Sequence, residues 1–286
     1  MSNDTPHWLM AIDVDRTLLT ADYQLLPKVR AAVQHARNLG VTVALVTARG
    51  PRALEVVVRD LGEIDYAVCF GGGLTVVRAN ETWLSHKSSS EKTLNRRICR
   101  EVIDFCRLIG LSLAFYGREF VYVDELDSYL ATEFKHTGDV YKVRDLQSVE
   151  ERPFKFLAIC SPGGVDKLDA VKARFHGRLS CAMSHATYLE IGPEGISKGT
   201  ALAALGRDIR VGPDFTVAIG DGENDLPMFE YAHISIAMGN APSSVRNAAT
   251  WVTSGNSEAG VATAIERLSR EIWQLPAPIY LAEASE

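Results

Sequence analysis

Trp8-Leu9-Met10-Ala11-Ile12-Asp13-Val14-Asp15-Arg16-Thr17-Leu18 is the stretch on which the fold turns. Its first five residues are uninterruptedly apolar, the pattern of a strand buried on both faces. Two acids then appear abruptly. In an open α/β sheet, ligands bind at the carboxyl ends of the strands, so a polar cluster here has a positional meaning. Two carboxylates two residues apart can divide the work: one attacks or holds a cation, the other handles a proton. An acid-x-acid triplet also occurs in ordinary solvated loops, so the reading depends on partners further along the chain.

The pattern continues outward from this stretch. Leu26, Val29, Val33, Ala36 and Leu39 recur at helical spacing, and Gly40 ends that helix. Val41 to Val46 reads as a second buried strand, stopping at Thr47-Ala48-Arg49-Gly50-Pro51. Pro51 suits the first turn of a helix running to about Leu61, and Tyr66 to Phe70 is a third strand before Gly71-Gly72-Gly73. Strands alternating with helices predict parallel βαβ units.

Beyond about Trp83 the texture changes. Leu94, Ile98, Val102, Phe105 and Ile109 mark a long amphipathic helix, and Leu111 to Tyr116 with Phe120 to Val123 read as a hairpin turning at Gly117-Arg118. Further helix and strand patterns run to Ile191 and predict an antiparallel α+β module. Parallel character returns after Pro193: a helix capped by Ser197, a buried strand at Phe215 to Ile219, and the loop Gly220-Asp221-Gly222-Glu223-Asn224-Asp225. The expected fold class is therefore α/β, a Rossmann-like doubly wound parallel sheet. Its core is expected to comprise 1–82 and 188–286, with an α+β cap over 83–187 inserted between.

Composition restricts the function. The chain has 286 residues, 47% apolar and 23% charged, with a net charge of −6. Those fractions are those of a soluble globular protein, and the charge argues against nucleic-acid or membrane-surface binding because no basic stripe compensates. Five scattered cysteines without a C-x-x-C pair predict free thiols in a reducing, cytoplasmic setting. No apolar run reaches membrane-spanning length. The sequence leaves the oligomeric state open.

Three further clusters join Asp13 and Asp15. Thr47 precedes a helix, where a hydroxyl and free backbone N–H groups suit an anion, and Arg49 could add a bidentate phosphate contact; a helix cap and a surface arginine are the plainer alternative. Lys198, at a helix start, opposes the helix dipole and so calls for a negative partner, unless it is simply solvated. Asp221, Asn224 and Asp225 follow a strand in a glycine-containing loop, where carboxylate oxygens suit Mg²⁺ and where helix capping is the alternative. A doubly wound sheet brings all these clusters to one edge, as a site for a phosphoryl group.

These residues, in this order, resemble the haloacid dehalogenase superfamily of phosphatases, in particular its Cof-type (IIB) branch. Asp13-Val14-Asp15-Arg16-Thr17-Leu18-Leu19 is similar to the first motif, Thr47-Ala48-Arg49 to the second, Ile196-Ser197-Lys198-Gly199-Thr200-Ala201-Leu202 to the third and Gly220-Asp221-Gly222-Glu223-Asn224-Asp225 to the fourth. The resemblance implies a Mg²⁺-dependent phosphatase acting on a small phosphate monoester, a sugar phosphate or phosphorylated cofactor, through an aspartyl-phosphate. A capped phosphomutase, or a phospho-ligand-binding protein that has lost turnover, are the alternatives. It further implies Asp13 as nucleophile and Asp15 as general acid and base, with Thr47 and Lys198 completing the catalytic set. Thr47, Ala48, Arg49, Lys198 and Asn224 would bind the phosphoryl group. Asp13, Asp15 through its backbone carbonyl, Asp221 and Asp225 would form the metal set. Arg118, on the cap hairpin with Tyr116 and Tyr122, is a candidate for touching the leaving group. Arg16 departs from the family's glycine, Ala48 from another glycine, and Gly71 stands where asparagine is usual.

Overall fold

The computed structural model describes residues 7–79, 82–86 and 91–273. β1 (Leu9–Ile12), α1 (Pro27–Asn38), β2 (Thr42–Val46), α2 (Pro51–Leu61) and β3 (Tyr66–Cys69) come first, followed by the antiparallel pair β4 (Leu74–Ala79) and β5 (Thr82–Ser85). Next come α3 (Arg96–Leu108), β6 (Ser112–Tyr116), β7 (Val121–Val123), α4 (Ser128–Thr137), β8 (Tyr141–Val143), β9 (Lys155–Ile159), α5 (Val165–Phe175), β10 (Leu179–His185) and β11 (Tyr188–Pro193). The chain then forms α6 (Lys198–Ile209), β12 (Thr216–Gly220), α7 (Leu226–Tyr231), β13 (Ile234–Ala237), α8 (Ser243–Ala248), β14 (Trp251–Val252) and α9 (Gly260–Leu268).

Among the described residues the strands make two sheets. The larger has the order β14-β13-β12-β1-β2-β3-β4-β5, and the strands from β14 to β3 run parallel. From β1 the chain winds one way through β2 and β3, and later the other way through β12, β13 and β14. β1 is therefore the switch point, outside whose carboxyl end a doubly wound sheet opens a crevice. All of β1 is fully buried. Met10 and Ile12 face the apolar cluster that includes Val29, Val33 and Ile265, while Leu9 and Ala11 face the one that includes Leu202, Leu205 and Met228. β2 divides in the same way, Val43 and Leu45 on one side and Ala44 and Val46 on the other. Two-sided burial explains why these strands read as continuous apolar runs.

The smaller sheet has the order β10-β11-β9-β6-β7-β8. Its pairings are antiparallel except β7 with β8, which is parallel, a departure from the purely antiparallel module the sequence suggests. Alternation along β9 turns Phe156 and Ala158 toward α3 and α5, and Leu157 and Ile159 toward the larger sheet's side. β11 belongs to this smaller sheet, so a boundary drawn at 188 separates two strands of one hairpin. β5 pairs with β4 in the larger sheet, although Trp83, Leu84 and Ser85 lie beyond the boundary expected at 82. Phe70 of the core stacks on Phe154 of the cap, rings 4.4 Å apart and 6° from parallel, and so joins the two parts.

Candidate active site

The site grows from the end of β1. Asp13 N–H donates to the Ile219 carbonyl at 2.9 Å, carrying the loop alongside β12, whose own end bears Asp221. The chain then turns sharply through Arg16, whose φ of 63° lies in the left-handed region. A glycine takes that conformation freely, while a residue with a Cβ is held there at a cost of about 1–2 kcal/mol. The Arg16 carbonyl accepts from Asn240 Nδ2 at 3.0 Å, and the half-exposed guanidinium lies 3.7 Å from Asp221 Oδ2. Gly71, at φ 64°, donates its N–H to the Thr47 carbonyl at 2.9 Å. Asparagine also tolerates such a φ, which reconciles glycine here with the family's usual residue.

Lys198 is the hub. Ser197 caps α6 through Thr200 N–H at 3.1 Å, and Thr200 Oγ1 accepts from Ser197 N–H at 3.0 Å, which fixes the first turn. Lys198 Nζ then reaches Asp13 Oδ1 at 2.6 Å and Asp225 Oδ1 at 2.5 Å, with the lysine only 2% exposed. The other oxygen of Asp225 accepts from the N–H groups of Asp221 and Gly222, both at 2.9 Å. A Cβ at position 220 would lie 2.4 Å from that oxygen, so only glycine lets the carboxylate tuck beneath its own loop. Asp221 is held by Thr17 Oγ1 and Asn240 Nδ2, each at 3.2 Å.

These contacts set the electrostatics. Burial drives the Asp13 carboxyl well above its usual range; Lys198 opposes that, while Asp225, Asp221 and Asp15 add to it. Burial and then Asp225 push Asp221 up to about 6. Burial works against the Lys198 ammonium, but Asp13 and Asp225 outweigh it and hold it above an ordinary lysine. The site carries excess negative charge gathered around one ammonium, and it favours a cation. Asp13, Asp221 and Asp225 each offer a carboxylate oxygen, all within 4.8 Å of one another. These hard oxygen donors fit a divalent cation.

Thr47 is fully buried at the end of β2, and its Oγ1 accepts from Arg49 N–H at 3.1 Å. Arg49, expected beside a phosphate, instead forks onto Asp15: Nε lies 3.0 Å from Oδ2 and Nη2 lies 2.6 Å from Oδ1. Its Nη1 donates to the Thr137 carbonyl of α4 at 3.0 Å, and its guanidinium lies over the Tyr23 ring, which stacks on His136. Asp15 thus turns away from the other carboxylates toward the cap.

Two openings meet the site. A cleft of about 430 Å³ is lined by Arg16, Asp221, Asn240 and the cap hairpin around Ser184 and His185. A cavity of about 270 Å³ is lined by Ala48, Gly71, Lys198 and Asn224 together with Lys155, Ser180 and Glu190 of the cap. Arg118 lines neither. It ion-pairs with Glu91 and donates to Ser85 Oγ at 2.9 Å, so its cation is held by neighbours beside β5. Thr17 stands inside the first motif, but its bond to Asp221 was not expected, and Asn240, Lys155 and Glu190 were not singled out by the sequence. Of these three, Asn240 carried a usable signal, as a polar residue just past a buried parallel strand.

Among the described residues no helix is long and apolar enough to cross a membrane. The chain is 28% identical over 283 residues to the 5-amino-6-(5-phospho-D-ribitylamino)uracil phosphatase YwtE of Bacillus subtilis, covering 91% of this chain and 97% of that protein. A crystal structure of a haloacid dehalogenase-like hydrolase from Bacteroides thetaiotaomicron superposes with a TM-score of 0.79 at 25% identity, covering 92% of this chain and all of that one. The subclass IIB sugar phosphatase BT4131, at 19% identity and covering 92% of this chain and 99% of its own, shares the fold with a TM-score of 0.79. The sequence profile of the haloacid dehalogenase-like hydrolases matches residues 10–265, and with the motif clusters of that span gathered at one sheet edge, this chain belongs to that family of hydrolases.

Proposed function

We propose that this hydrolase is a Mg²⁺-dependent phosphatase that cleaves a small phosphate monoester, a sugar phosphate or phosphorylated cofactor, through an aspartyl-phosphate. The observation that carries the reading is the Asp13 carboxylate at the sheet's switch point, with Lys198 Nζ 2.6 Å away and the oxygens of Asp221 and Asp225 beside it. Supporting it are the relative named for a phosphorylated ribityl compound and the fold neighbour titled a sugar phosphatase.

An oxygen of Asp13 attacks phosphorus as the bond to the leaving oxygen breaks, and Asp15 gives its proton to the departing alkoxide. Asp15 then takes a proton from water, the resulting hydroxide attacks the aspartyl-phosphate, and phosphate leaves as the Asp13 carboxylate is restored. Lys198 and Thr47 hold the charged phosphoryl oxygens, and Asn224 reaches them from the fourth loop. Asp13, the Asp15 carbonyl and Asp221, supported by Asp225, would hold the metal. When bound, Mg²⁺ supplies charge neutralisation and polarisation at the phosphoryl group. The Arg49 fork keeps Asp15 near the cap, where a leaving group would lie.

The deciding experiment is phosphate release from a panel of phosphate esters, with Mg²⁺ and with EDTA, by the wild type and Asp13→Asn. Mg²⁺-dependent release that the variant lacks is the expected result. Isomerised ester without free phosphate would indicate a mutase. No turnover of any compound would leave a binding protein.

A further inference from the structure

Arg16 adds a cation to the catalytic loops at a position where the family carries glycine. The other cations of those loops are already engaged. Lys198 Nζ is shared by Asp13 and Asp225, and Arg49 forks onto Asp15 while donating to the Thr137 carbonyl. Asp221 takes two neutral donors, Thr17 Oγ1 and Asn240 Nδ2, each at 3.2 Å. Among the described residues its one ion pair is with Arg16, whose Nε lies 3.7 Å from Oδ2.

This pair is loose. The Arg16 side chain is 46% exposed, and 3.7 Å is too long for a hydrogen bond. Asn240 donates to the Arg16 carbonyl at 3.0 Å as well as to Asp221, so the Arg16 backbone is tied to the acid while the guanidinium is held by charge alone. Both residues line the 430 Å³ cleft, where Asp221 and Glu223 are acids and Arg16 is the one permanent cation. Burial, then Arg16, hold the His185 imidazole of that cleft below its ordinary value.

Asp221 is also one of the three carboxylates that fit a divalent cation. A guanidinium beside that set offsets charge that the cation would use, and it repels the cation itself. Two unit charges about 4 Å apart in water change an equilibrium constant about fivefold. A dication carries twice that charge, while solvent and salt screen a half-exposed guanidinium, so the net effect is several-fold.

We infer that Arg16 is a resident counter-ion of Asp221 that competes with the divalent cation for it, so that this chain binds Mg²⁺ more weakly than the same site would with glycine at position 16. The inference rests on the metal set of the phosphatase reading.

The test is calorimetric titration of the ester-free protein with MgCl₂ at low salt, comparing wild type with Arg16→Gly and Arg16→Gln. Both variants should lower the Mg²⁺ dissociation constant by about threefold to tenfold, and binding measurable only in the variants is the same result. Glutamine keeps a Cβ at the left-handed φ, so it separates loss of charge from relaxation of the turn. In about 1 M salt, where the screening length falls to about 3 Å, the difference from wild type should shrink. Tightening by glycine alone, or a difference that persists in high salt, would assign the effect to the turn and overturn the counter-ion. Equal or weaker Mg²⁺ binding by both variants would overturn it and leave the metal of the phosphatase reading in place, whereas no binding by any of the proteins would overturn both. Should Arg16→Gln not fold, the salt dependence of the Arg16→Gly difference decides between charge and turn.

Discussion

Lys198 Nζ sits between Asp13 Oδ1 and Asp225 Oδ1, 2.6 and 2.5 Å away, and a single buried ammonium thus ties the third motif to the first and fourth. Removing it would leave two buried carboxylates without a counter-charge. Lys198→Met should therefore lower stability by about 3–5 kcal/mol, because the surviving partners of a broken buried ion pair remain desolvated. Turnover should fall by more than about 100-fold, as when a preorganised charge stabiliser is lost. Thermal unfolding and steady-state phosphate release measure the two effects. A variant as stable and as active as wild type would show the lysine to be dispensable.

Arg49 links the Asp15 carboxylate to the carbonyl of Thr137 in the cap. Hydrogen bonds to charged groups are worth about 1.5–3 kcal/mol, so Arg49→Ala should reduce kcat by about 10–100-fold. Arg49→Lys keeps the charge but not the planar fork, and should recover only part of the loss. Full recovery by lysine would mean that charge alone matters at this position.

Asn240 donates both to Asp221 Oδ2 and to the Arg16 carbonyl, so it orients a carboxylate of the acidic cluster without belonging to that cluster. Loss of such outer partners typically weakens metal affinity or activity by about 10–100-fold. Asn240→Ala should raise the Mg²⁺ concentration needed for half-maximal activity by a factor in that range. An unchanged Mg²⁺ titration would remove Asn240 from this role.

Glu133 carries a pH dependence. Burial, then Asp15, push its carboxyl up to about 7, against an ordinary value of 4.5. The folded chain therefore holds a proton that the unfolded chain has released between those two values. Stability contributed by the protonated form is complete below the ordinary value and is lost as pH rises toward about 7, a span worth on the order of 3 kcal/mol. Glu133→Gln mimics the protonated form, so it should unfold at a higher temperature than wild type at pH 8, with the gap narrowing at pH 5. A gap that widens on acidification would reverse the assignment.

Arg16 holds a left-handed φ of 63° at the sharpest turn of the site. Arg16→Gly removes about 1–2 kcal/mol of strain and gives back about 0.5–1 kcal/mol through the freer unfolded chain. The ion pair to Asp221 involves a half-exposed guanidinium and contributes little. The variant should melt a few degrees higher; a lower melting temperature would mean the ion pair outweighs the strain.

The parallel core was legible because strands buried on both faces must be apolar at every position, as β1 and β2 are. The polar clusters that interrupt those runs stood out for the same reason, and their order along the chain marked Asp13, Thr47, Lys198 and the Asp221 loop as candidates; the fold brings Asp13, Lys198, Asp221 and Asp225 together. The β4–β5 pair was not legible: β5 is largely exposed, and its alternation is too short to separate from loop. α8 buries only Val245, so it carries no helical stripe.

What local patterning determined was which residues stand at strand ends, since burial acts on each strand separately. What only the tertiary structure decided was which partners those residues take. Arg49 turned to Asp15 and the cap rather than toward the phosphate pocket, Arg118 was captured by Glu91, and Lys155 met Glu190 across a sheet. Long cationic side chains reach several ångströms beyond their backbone and settle where desolvation is best compensated. That position depends on charges brought in from distant parts of the chain, and no local pattern encodes it.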